Sequence, residues 1–76
     1  MSLETKVKQV LENFDDVSSN ELITILNQIQ NQFHNTLTKD YLQGKLNAIS
    51  EVSSEGERKI LCKHLKPYFD WYLAKN

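Results

Sequence analysis

Seventy-six residues with a net charge of −1 make one domain (residues 1–76), near the lower limit of what a single hydrophobic core stabilises unaided. At 39% hydrophobic and 25% charged residues the chain is composed to fold, and its near-neutral balance gives no general pull towards nucleic acid or anionic membrane. No run approaches the roughly 20 apolar residues of a bilayer span, no signal-peptide hydrophobic segment is visible, and the single cysteine, Cys62, excludes an internal disulfide, so the expectation is a cytoplasmic protein.

Gly44, Gly56 and Pro67 are the only glycines and proline. A β-rich chain needs turn residues about every 8–12 positions, so their scarcity points to helices. The first helix is expected from about Leu3 to Phe14, where Leu3, Val7, Val10, Leu11 and Phe14 form one stripe at spacings of three and four. Ser2 is its expected N-cap, and Glu4 suits the positive end of the helix dipole. The second helix opens on a capping box, Ser18-Ser19-Asn20-Glu21, flanked by Val17 and Leu22 at the positions of a hydrophobic staple. Leu22, Leu26, Ile29 and Phe33 make its inner face, widened by Ile23 and Ile25, and its end is expected near His34 or Asn35.

Thr36 or Thr38 is the expected cap of the third helix, whose core face is Leu42, Leu46 and Ile49, with Tyr41 and Val52 at the margins. Gly44 stands in its interior four residues before Ala48; either this pair of small residues lets a neighbouring helix approach closely, or Gly44 is simply an exposed glycine. A second Ser-x-x-Glu box, Ser54 to Glu57, opens the fourth helix. Its expected stripe is Ile60, Leu61, Leu65, Tyr68 and Tyr72. Pro67 lacks an N–H and its ring clashes with the carbonyl four residues back. The helix therefore either kinks there or stops and restarts, and a kinked continuous helix is the preferred reading.

Val17-Ser18-Ser19 and Ile25-Leu26 recur as Val52-Ser53-Ser54 and Ile60-Leu61. Two independent capping sequences account for so short a match. Short connections make successive helices antiparallel neighbours. The expected fold is all-α, a small four-helix bundle of two antiparallel helical hairpins, with the final helix kinked or broken at Pro67.

Chemistry-bearing constellations are sparse. Cys62 and His64 are two apart, about 200° around a helix, and do not meet. Two histidines and one cysteine show no metal-ligand spacing, and there is no glycine-rich phosphate loop. The expectation is a protein with no catalytic residues, metal or cofactor. Three surfaces stand out instead. From Leu22 to Thr38 there is no formal charge other than that of a protonated His34, and Asn27, Gln28 and Asn31 belong to an amide-rich face suited to lying against a protein. Lys59, Lys63 and Lys66, with Arg58, form a basic row able to contact an anion or nucleic acid, although Glu55 and Asp70 stand at pairing distance along the helix. Finally, Tyr68, Phe69, Trp71 and Tyr72 crowd into five residues over an arc of about 160°, wider than an ordinary core stripe of about 100°.

Trp and Tyr anchor protein interfaces because their rings bury large area at small entropic cost. The leading reading is therefore a small protein-interaction module that binds, inhibits or adapts a protein partner through the aromatic segment and the amide face. The alternatives are a nucleic-acid-binding regulator using the basic row, and a structural subunit of a homo-oligomer.

Overall fold

A computed structural model describes residues 2–75, with side chains for residues 2–74. Among the described residues there are five α-helices and no strand. Helix α1 spans Leu3–Glu12, and the Ser2 hydroxyl accepts the Thr5 N–H at 3.2 Å, capping its start. The expected continuation to Phe14 does not form. Asn13 leaves helical angles and its side-chain amide donates to the Gln9 carbonyl at 3.2 Å, closing the last turn; a short polar side chain competes with the backbone in this way. A single 3₁₀ turn, Phe14–Asp16, follows and still delivers Phe14 to the core.

Helix α2, Ser19–Gln30, begins where the Ser18 hydroxyl accepts the Glu21 N–H at 3.3 Å. It buries Leu22, Ile25, Leu26 and Ile29 and ends earlier than the periodicity implied, leaving Phe33 half-buried in the connection. Bonds from Gln32 N–H to Ile29 O and from Phe33 N–H to Gln30 O tighten the exit to three-residue spacing. The early stop has a local cause, because Asn35 is the cap of the next helix and holds extended angles. Its Oδ1 accepts from the N–H groups of Leu37 (2.8 Å) and Thr38 (3.2 Å), so the expected caps Thr36 and Thr38 lie inside the helix instead. Asparagine is the stronger capping residue.

Helix α3, Thr36–Ser50, buries Leu42, Leu46 and Ile49 as expected. Gly44 is in its interior, at a cost of about 1 kcal/mol relative to alanine. A Cβ there would meet nothing within 4 Å, so no neighbouring helix of this chain uses its smallness.

Helix α4, Glu55–Lys63, starts at Ser54, whose hydroxyl accepts the Glu57 N–H at 3.5 Å. At Pro67 the chain breaks rather than kinks: α4 ends at Lys63 and α5 runs Lys66–Lys75, making five helices in place of the expected four. Three-residue bonds from Leu65 N–H to Cys62 O and from Tyr68 N–H to Leu65 O carry the turn, and Pro67 falls in the first turn of α5, where a missing N–H costs nothing. The break re-aims the inner face. Cys62, Leu65 and Phe69 are fully buried or nearly so, while Ile60, expected inside, is 57% exposed.

Helix α2 is the centre of the molecule and packs against α1, α3, α4 and α5; α1 also packs on α5, and α3 on α4. Leu22, Leu26 and Ile29 of α2 are wholly enclosed, with Phe69 of α5 as the largest buried side chain.

Candidate functional site

The four clustered aromatics all lie on α5, after the turn at Pro67, and its packing divides them between core and surface. Phe69 points into the core at 0% exposure, so it is removed from the accessible surface on which it was placed as a partner-binding residue. Tyr68 and Tyr72 are half-buried, and Trp71 stays 39% exposed. The Trp71 ring meets Phe33 edge-on at 4.5 Å between centroids, and the Tyr68 ring lies tilted to Phe33 at 5.9 Å between centroids. Such tilted pairs are the favoured aromatic geometry. Around them opens a cleft of about 430 Å³, formed by Phe33, His34, Asn35 and Thr38 on one side and Pro67, Tyr68 and Trp71 on the other.

Pro67 and Tyr68 also border a second hollow of about 530 Å³, whose far wall is Tyr41, Lys45 and Ala48 of α3 and whose end is Leu61 and His64. Burial, with a smaller contribution from Tyr41, pushes the Tyr68 hydroxyl pKa up. Lys45 Nζ stands 5.2 Å above the Tyr41 ring, a cation–π contact at an open site. Tyr41, expected at the margin of the α3 core face, lies outside it, and so does Leu37, which no expectation covered. Leu37 is 80% exposed and Tyr41 60%, one helical turn apart. Their signal was present, since Leu37 and Tyr41 fall off the Leu42–Leu46–Ile49 stripe.

The amide face does not form one surface. Asn27 and Asn31 are exposed a turn apart, whereas Gln28 is half-buried and borders a different groove, together with Gln9, Asn13 and Thr24. Gln30 is buried; its Nε2 donates to Gln43 Oε1 at 2.7 Å, and Gln43 Nε2 donates to Asn47 Oδ1 at 2.8 Å, so part of the amide set is a brace between α2 and α3.

The basic row is largely turned onto the protein itself. Glu55, in the first turn of α4, accepts the Ser19 N–H at 2.8 Å and the Ser19 hydroxyl at 2.6 Å, so one carboxylate serves the N-termini of both α2 and α4. These hydrogen bonds, first the hydroxyl and then the backbone N–H, hold the Glu55 pKa below its ordinary value, helped by Arg58 and Lys59. Arg58 donates to Asn20 Oδ1 at 3.0 Å. Lys59 Nζ donates to the carbonyls of Phe14 and Val17, closing the 3₁₀ turn, and both Lys59 and Lys66 lie about 5 Å over the Phe14 ring. Lys63 and Lys66 share a small cleft with Glu12, Asp15 and Asp16.

Cys62 is fully buried, which raises its thiol pKa, while His64 is exposed at the end of α4. Among the described residues no three His, Cys, Asp or Glu side chains gather as metal ligands, and no helix is long and apolar enough to cross a membrane. What the aromatic face can do chemically is exclude water around an apolar side chain, with Asn35, Thr38 and His34 as polar groups at its edge. No protein family, curated protein or solved structure matches the chain.

Proposed function

We propose that this chain is a small helical interaction module that binds a protein partner in the aromatic cleft between α5 and the α2–α3 connection. The observation that carries the reading is Trp71, left 39% exposed on Phe33 at the mouth of an apolar cleft while its neighbour Phe69 fills the core. A small domain short of core material would ordinarily bury its one tryptophan. A half-exposed ring held against another ring is already ordered, so a partner that covers it gains area without further loss of side-chain freedom. Tyr68, Tyr72 and the exposed amides Asn27 and Asn31 supply surrounding contacts in this reading.

Contact with nucleic acid through Arg58, Lys59, Lys63 and Lys66 has less support. Arg58 and Lys59 already serve acceptors within the fold, and Lys63 and Lys66 stand beside acidic residues.

The test is retention of proteins from the native cell on the immobilised chain, compared with Trp71→Ala and Thr38→Arg. Anchor residues carry about 2 kcal/mol or more, so a partner bound in the cleft should be weakened roughly thirtyfold by either change. A specific partner held equally by both variants would place the interface elsewhere.

A further inference from the structure

We propose that the outward face of α3 is a self-association seam, on which a second copy of this chain lays its own α3 antiparallel. The proposal goes beyond the cleft reading, because Trp71 is not part of the seam.

Helix α3 carries two stripes. The inner one enters the core, and opposite it Leu37, Tyr41, Gly44 and Ala48 follow one another at spacings of four, three and four, all exposed. That alternation is the seam pattern of paired helices. Within the chain Lys45 Nζ lies over the Tyr41 ring, and a Cβ at Gly44 would meet nothing within 4 Å.

The seam is complementary to itself in only one direction. In an antiparallel pair, the register that sets Leu37 against Ala48 of the second copy also sets Tyr41 against its Gly44, because both pairs are centred between Leu42 and Gln43. Each bulky residue then faces a small one, and the two tyrosines pack over the two glycines beside the dyad. A parallel pair would instead stack Tyr41 on Tyr41 and leave gaps at Gly44 and Ala48.

Charge agrees with the same register. Helix α3 has no acidic residue in its first turn and no basic residue in its last, and Glu51 stands at its C-cap, the negative end of its own dipole. Antiparallel pairing brings each Glu51 to the positive end of the other α3, next to His34. Along the flanks Asp40 falls beside Asn47 and Lys45 beside Thr38, so no like charges are directly opposed. A net charge of −1 per copy adds little repulsion.

One helix from each copy covers less than the area of a standard interface, so the pair is a weak one. Sedimentation equilibrium of the full chain from about 10 µM to 1 mM reads it directly. The expected average mass climbs from 8.9 kDa towards twice that value across the series. Gly44→Gln fills the socket for Tyr41, and its Cβ has nothing within 4 Å in the single chain, so it should weaken association at least tenfold while its circular dichroism and melting temperature show an intact fold. Trp71→Ala should associate as the wild type does. A wild-type chain monomeric throughout the series overturns the proposal. So does unchanged association of Gly44→Gln, or loss of association in Trp71→Ala alone, which would move the contact to the cleft.

Discussion

Glu55 shows how much a single side chain does in so short a chain. Its carboxylate sits where the positive ends of α2 and α4 converge and accepts both donors of the fully buried Ser19. Its folded pKa is depressed, so its contribution is fully present above the ordinary glutamate value, about 4.3, and is lost as pH falls through the folded value. Unfolding followed from pH 7 to pH 3 should therefore show a loss of stability below that value that is smaller in Glu55→Gln; equal acid slopes would contradict the assignment. At the alkaline end the sign reverses. Burial raises the Cys62 thiol and the Tyr68 hydroxyl, so their contributions hold below the unfolded values and are lost as pH rises through the folded ones. Stability should fall above about pH 8.5, the ordinary thiol value, and Cys62→Ala should remove the first part of that fall, a difference that denaturant midpoints at pH 8 and 10 would reveal.

The helices differ in how openly their ends were written. Ser2, Ser18 and Ser54 cap where the sequence places them, because capping is decided within four residues and needs no tertiary information. The third start was harder to read, since Asn35, Thr36 and Thr38 are all eligible and only the bonds formed by Asn35 Oδ1 decide among them. Asn35→Ala should cost about 1 kcal/mol in chemical denaturation, and Thr36→Ala much less; the reverse order would restore the threonine cap. Pro67 was ambiguous for a different reason. A proline shows that the ladder is interrupted, yet the choice between kink and restart depends on tertiary packing; here α5 is a separate helix and Phe69 is its fully buried side chain. The bond between Ser19 and Glu55 spans 36 residues, beyond any local pattern. Tyr41, placed by its spacing at the margin of the core face, lies outside it together with Leu37, because a stripe of three buried residues does not say how far its edges are covered.

At the scale of the molecule, α2 is surrounded by four partners, and the residues that close around it leave several large apolar side chains outside. Trp71 and Tyr41 border the two adjoining hollows, one each, and Leu37 stands exposed one turn before Tyr41. The five helices among the described residues are short, with only a few inward positions each, so α5 uses Phe69 for the core and turns Trp71 away from it. The central claim is this division of labour: Phe69 belongs to the core that holds the fold together, and Trp71 to the exposed surface on which the proposed partner site rests. Total stability for a chain of this length is on the order of 4–11 kcal/mol. Urea unfolding of Trp71→Ala, read against Phe69→Ala, tests the claim most directly. Phe69→Ala is expected to lose about 3–5 kcal/mol, and Trp71→Ala about 1 kcal/mol, with the fold retained. A loss in Trp71→Ala equal to that in Phe69→Ala would make the tryptophan a core residue and contradict the account.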